Sequence, residues 1–411
     1  MSNYILKNFP DREELLNWHE KNRKSQLREV NAHIHTPFSF SAFQSVPEIF
    51  RLAREQGIDV LGINDFYVTD GYLPFYNQSI QSKIFPLFNI EFIGLLTEEQ
   101  EKDIRVNDPN NPGRTYFSGK GLDYPFELES PYDCILKNLK YESQIQVKEM
   151  VEKASAILAN QSKDLRLKYS EIKSTFAKEL VRERHIARAI RSKIFDKFQS
   201  EEERRKVLAN IFNGKEPLSG LNDEAALENE IRSNLLKAGG SAFVAEDENA
   251  FLPVAEIIEI ILNAGGIPCY PVLLDDVNGN CTEYESSRQI LLNELTSKNI
   301  YCIELIPGRN DLDILREFVL FFKENNFIIT FGTEHNTPRM APLKITARGG
   351  AELDDELKKI SYDGACVIAA HQYLHATGKE GYVNLDGLAK QDRIEEFVAL
   401  GQAVIDKFIQ E

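Results

Sequence analysis

The sequence predicts an α/β protein, a barrel or open sheet of parallel strands carrying a large, mainly helical insertion, and three observations predict it. Short apolar runs alternate with amphipathic stretches between about residues 30 and 91, and the same rhythm resumes after Pro253 and runs to the end of the chain. Between these blocks the alternation stops. Strands alternating with helices on both sides of an interruption place the interruption in a loop of one parallel sheet. The expected division is a barrel unit from residues 1–96 and 251–411, with an irregular loop and helical insertion at 97–250.

Taken in order, residues 31–36 read as a first strand. Ser45, followed by Glu48 three residues on, starts a helix through Gln56 that Gly57 ends. Strands at 58–63 and within 84–92 complete a β-α-β-α-β unit. Residues 97–133 are rich in Asn, Pro, Gly and Asp and read as a long irregular connection. Helical periodicity then covers about 142–212. After Pro253 a helix runs to Asn263, where Gly265 and Gly266 stop it. Strands at 267–271, 300–305 and 327–331 follow, separated by helices at about 286–297 and 312–325. Helices at about 354–359, 366–376 and 391–409 close the chain.

Composition narrows the function. With 411 residues, 42% hydrophobic and 27% charged, the chain reads as a soluble globular protein, and no apolar run approaches bilayer length. The stretch from Met1 to Pro10 lacks a secretory layout, so a cytoplasmic location is expected. Five widely spaced cysteines without a Cys-x-x-Cys pair imply reduced thiols. A net charge of -16 opposes adhesion to nucleic acid polymers or anionic membranes. Residues 141–213 run against that balance, with sixteen Lys or Arg against eleven Asp or Glu. They form either a solvated helical face or a surface toward an anionic ligand.

The chemistry gathers at predicted strand ends, where such folds carry their active sites. His33-Ile34-His35 puts two imidazoles on one face of the first strand, a geometry that grips one divalent ion. Asp65 ends the second strand and Glu91 the third, while Glu304 and the pair Glu334-His335 follow later strands. Arg184, Arg188, Arg309 and Lys120 are candidates to neutralise a phosphate. His371 and His375 lie four apart on one helix face without an evident third ligand. His19 reads as a solvated histidine, Glu304 as a supporting acid or a plain strand-end acid, and Tyr270 as a core aromatic or a site phenol.

This order of motifs resembles the PHP (polymerase and histidinol phosphatase) family. The resemblance rests on the segment from His33 to Ser39, the acid Glu91, the run Gly265-Gly266-Ile267-Pro268, and Arg184-His185-Ile186-Ala187-Arg188-Ala189-Ile190. It covers about residues 30–91 and 182–338 and implies a distorted seven-stranded (β/α)7 TIM-like barrel with metal-dependent phosphoesterase activity. It further implies that His33, His35, Glu91 and Glu334 hold one tight ion of zinc, manganese or iron. His185, Asp65 and His335 could complete a weaker second position, with Glu91 bridging. Three ligands usual in the family are replaced here by Phe40, Phe66 and Tyr270, so a full trinuclear set is not present.

The expectation is therefore hydrolysis of a small phosphorylated metabolite, a nucleotide or sugar phosphate, by a metal-activated water, with Asp65 or His335 handling protons. Two other readings stand beside it: a metal or ligand-binding protein on an altered enzyme scaffold, and an amidohydrolase-like hydrolase, which would also open on a strand-one His-X-His.

Overall fold

Val60–Phe66 and Phe85–Leu95 are buried along almost their whole length, as strands covered on both faces must be. They form the centre of the first sheet block in a computed structural model that describes residues 4–23, 27–276 and 278–411. The strands are β1 (Val30–Ile34), β2 (Val60–Phe66), β3 (Phe85–Leu95), β4 (Arg114–Lys120), β5 (Leu252–Pro253), β6 (Ile267–Val272), β7 (Cys302–Leu305) and β8 (Ile328–Phe331). Their order is β1-β2-β3-β4-β6-β7-β8, with the short β5 beside β3. Just past β8, Ile34 and Glu334 form a parallel bridge that brings the last strand back to the first. His35 N donates to Glu334 O at 2.7 Å and Glu334 N to His33 O at 3.0 Å. The result is a distorted TIM-like barrel.

One strand corrects the sequence reading. Arg114–Lys120 lies within the stretch expected to be irregular, yet it is a full member of the sheet and runs antiparallel to both β3 and β6. Its partners, not its own pattern, make it a strand. Ser118 and Gly119 interrupt the apolar alternation that would have announced it, while buried neighbours on both sides supply the hydrogen bonds. The chain thus leaves the sheet only after Lys120, later than residue 97.

The helices Tyr132–Ala159, Glu183–Lys197, Glu201–Ile211 and Glu224–Ile231 follow. They bury their own apolar cluster, including Met150, Leu158, Ile190 and Leu227. At the far end, Asp355–Ala376 is one continuous helix and not two short ones. It lies against β8 and beneath the final helix Ile394–Gln410, which approaches so closely that a Cβ on Gly401 would sit 1.8 Å from Cys366 O. A residue without a side chain is required there. Among the described residues no helix is long and apolar enough to cross a membrane.

Candidate metal centre

β1 delivers the centre. His33 is on the strand and His35 just beyond its end, both buried, with ring centroids 5.2 Å apart. The backbone opposite is Gly332, where a Cβ would come within 2.3 Å of His33 Cβ, so glycine lets the closing turn press against the ligand strand. His33 Nε2 and His35 Nε2 face each other at 3.3 Å, and Glu91 Oε2, from β3, lies 3.1 Å from His35 Nε2. One ligand atom from each of the three lies within 4.8 Å of the other two.

The far side of each ring is anchored. His33 Nδ1 meets Glu304 Oε2 at 2.8 Å, and that carboxylate also accepts from Lys120 Nζ at 2.5 Å and, through Oε1, from Ser118 Oγ at 2.5 Å. Burial acts to raise the Glu304 pKa, but Lys120 and His33 outweigh it and hold the carboxyl below the usual range. Asn64 packs on the same ring, with Nδ2 3.1 Å from His33 Nε2. His35 Nδ1 lies 3.2 Å from Ser39 Oγ, which donates to Asp65 Oδ1 at 2.6 Å. Carboxylates behind both rings fix the tautomer with Nδ1–H outward and the Nε2 lone pair inward, the arrangement of metal-ligating histidines.

The donor set fits a divalent transition ion. Glu91 Oε2 is buried with no hydrogen-bond partner among the described residues. Burial, reinforced by Glu334 and Glu304 against the opposing His33, pushes the Glu91 carboxyl up to about 8. An isolated carboxylate facing two imidazole lone pairs is costly unless a cation joins them. Burial also lowers His35 to about 4, keeping its ring neutral and its lone pair available. Two imidazoles and one carboxylate suit zinc, manganese or iron, with positions left open.

The other predicted residues are placed differently. Glu334 lines the same pocket, but its carboxylate pairs with Arg309 and is not within the three-residue group. Burial would raise its pKa; Arg309, His33 and His35 bring it below the ordinary value. Asp65 is fully engaged behind His35 by Thr36 N, Thr36 Oγ1 and Ser39 Oγ, so it supports a ligand and is not free to carry a proton to a substrate. His335 turns away: one ring nitrogen meets Thr333 Oγ1 at 2.8 Å, the other Ala341 O at 2.9 Å, and the ring stacks on Phe43. His185 accepts from Arg182 N at 2.9 Å with its ring edge on Phe40, and burial lowers it to about 3. It serves the start of its own helix.

The candidate phosphate binders separate likewise. Lys120 is wholly buried and committed to Glu304 and Asn64. Arg184 donates to Asn229 and Arg188 pairs with Glu228 at 3.5 Å, both guanidinium groups also lying near the Phe40 ring. Only Arg309 of the four faces the pocket, a space of about 220 Å³ bounded by His33, Glu91, Tyr116, Glu304 and Glu334 among others. Tyr270 points away, donating to Glu285 Oε1 at 2.8 Å. Sequence reasoning missed Asn64, Ser118, Tyr116 and Arg182. Asn64 stands one residue before Asp65, so the strand-end signal that picked Asp65 also marked it, whereas Ser118 stands two before Lys120 in a stretch that read as irregular, where no strand-end signal reached it.

No family model and no curated protein matches this sequence. Among solved structures, the fold is similar to that of a protein from Bifidobacterium adolescentis described as a putative metal-dependent phosphoesterase, at 13% identity over 82% of this chain and 96% of that one, with a TM-score of 0.53. An amidohydrolase from Chromobacterium violaceum aligns at 12% identity over 81% and 96%, with a TM-score of 0.48. At such identity the first likeness speaks for the fold, and the chain shares the barrel architecture of that Bifidobacterium protein.

Proposed function

We propose that this protein is a metal-dependent hydrolase that cleaves phosphate esters of small metabolites. One observation carries the reading: His33 Nε2, His35 Nε2 and the unpartnered Glu91 Oε2 converge in a buried group, of which His33 and Glu91 line a pocket that Arg309 also lines. A divalent ion bound there supplies a Lewis acid and a nucleophile usable at neutral pH. The chain's own residues do the rest. Glu304 and Asp65 hold the two imidazoles in register, so the ligand atoms need no rearrangement before reaction. Arg309, on the turn after β7, offers a planar fork for an anionic oxygen.

Arg309 is paired with Glu334. An entering phosphoryl group competes for that guanidinium and releases the Glu334 carboxylate, which Arg309 and the two histidines otherwise keep ionised. Glu334 is then a proton acceptor on the same pocket wall that is neither in the three-donor group nor tied behind a ligand. This assignment replaces Asp65 and His335.

The test is metal analysis of protein purified without added ion, followed by a substrate panel of phosphomonoesters, phosphodiesters, lactones and amides, with and without chelator. Chelator-sensitive release of phosphate is expected. Turnover confined to lactones or amides would move the protein to another hydrolase class, and an ion-loaded chain inert to the whole panel would make it a binding protein.

A further inference from the structure

Arg182 immediately precedes the helix Glu183–Lys197, and its guanidinium has no carboxylate or hydrogen-bond partner among the described residues. Its neighbours Arg184, Arg188 and Arg191 all have one. Nevertheless the backbone around Arg182 is pinned on three sides. Leu180 N donates to Phe38 O at 3.3 Å, Val181 N to Gln144 Oε1 at 3.1 Å, and Arg182 N to His185 Nδ1 at 2.9 Å. These bonds hold the guanidinium carbon 4.5 Å from the centroid of Phe66. Phe66 in turn stacks on His35, with centroids 5.0 Å apart and planes inclined by 24°. Phe66 is also the cross-strand partner of Glu91. A run of planar groups thus leads from the helical segment to His35, and the strand register sets Glu91 beside Phe66.

A half-buried cation beside a cation site is unfavourable by Coulomb's law. Its retention needs an offsetting gain, and the stack supplies one: a guanidinium on an aromatic face restrains the ring, and the ring restrains the imidazole plane. We propose that Arg182 is a positioning residue for the metal ligand His35, acting through Phe66, so that the helical segment and not the barrel alone sets the geometry of the centre. This rests on the reading that His33, His35 and Glu91 bind a cation.

Charge and positioning predict opposite signs, which makes the experiment decisive. The full-length chain, stripped of metal, is titrated with Co2+ and followed by its visible absorption, which reports coordination geometry, while circular dichroism confirms that each variant is folded. Arg182→Met and Arg182→Lys should each bind Co2+ about tenfold more weakly, with altered bands, and Phe66→Leu should do the same. Lysine keeps the charge and lacks the planar fork, so it separates stacking from electrostatics. Tighter binding by Arg182→Met, or wild-type affinity and spectrum in the variants, overturns the inference alone. A wild-type chain that takes up no Co2+ overturns it together with the metal reading. Should Arg182→Met not fold, Arg182→Lys and Phe66→Leu decide by the same criteria.

Discussion

Two pairs of histidines lie close together in this molecule, and only one has the makings of a metal centre. The rings of His371 and His375 are 4.3 Å apart, nearer than the 5.2 Å of His33 and His35. His371, however, spends both nitrogens on the fold: Nε2 meets Gly265 O at 2.7 Å, and Nδ1 accepts from Tyr382 N at 3.0 Å. His375 is paired with Asp123 at 3.0 Å. In the first pair the outward nitrogens are tied to a carboxylate and a hydroxyl, and the inward ones face each other, with Glu91 beside His35 Nε2 and the Asn64 amide beside His33 Nε2. Proximity of imidazoles therefore says little. What makes a centre is convergence of donor atoms on a buried carboxylate oxygen that the surrounding protein leaves unpartnered, as at Glu91 Oε2.

The sharpest way to break the comparison is to remove one ring from each pair. His35→Ala should abolish stoichiometric ion binding and lower turnover by about a thousandfold or more, as loss of the Lewis acid requires. His371→Ala should leave ion content unchanged and cost about 2–4 kcal/mol of stability, because two buried backbone groups lose their partner. Elemental analysis beside thermal unfolding reads both, and loss of metal in the His371 variant would remove the distinction.

Next in size is Glu304→Ala. It strands the buried Lys120 charge and frees His33 Nδ1, so a destabilisation of about 3–5 kcal/mol is expected together with weaker metal affinity. Denaturant unfolding of the metal-free chain separates the two effects. Affinity equal to wild type would show that the acid behind His33 only neutralises the lysine.

Proton competition follows. In the metal-free chain burial raises Glu91 to about 8, whereas His35, lowered to about 4, is already neutral at pH 6. Binding then displaces one proton from Glu91 below about pH 8, so affinity should rise about tenfold per pH unit from pH 6 and level off above pH 8. Titrations at four pH values test this, and a flat profile across that range contradicts it.

Smaller effects come from the rim of the centre. Gly332→Ala drives a methyl into His33 Cβ and should cost about 1–3 kcal/mol with loosened metal binding, read by unfolding and metal titration. Arg309→Met breaks a half-exposed ion pair, so stability should change by less than about 1 kcal/mol while KM for a phosphoester rises. An unchanged KM would remove Arg309 from the substrate site.

Much of this was legible before folding. The His-X-His repeat, the strand acids Glu91 and Glu304, and the α/β rhythm on either side of a helical stretch are local patterns, readable because strand geometry has period two, although β3 runs on past Glu91 to Leu95. The orphaned lone pair on Glu91 was not, nor were the diversion of His185 to Arg182 N and of His335 to Ala341 O, since those partners are backbone groups that any sequence supplies. Lys120 looked like a phosphate binder beside two glycines. Only the pairing of β4 between β3 and β6 turns it inward to Glu304.

The sequence by itself determined which side chains could ligate an ion and that β1 would present two of them together, because residue chemistry and strand alternation are properties of the chain. Tertiary structure alone decided which of seven histidines and several strand acids turn a donor atom toward a shared centre. A ring nitrogen is spent or spared according to what distant segments bring within about 3 Å of it, and hydrogen bonds of that reach carry no trace in the local sequence.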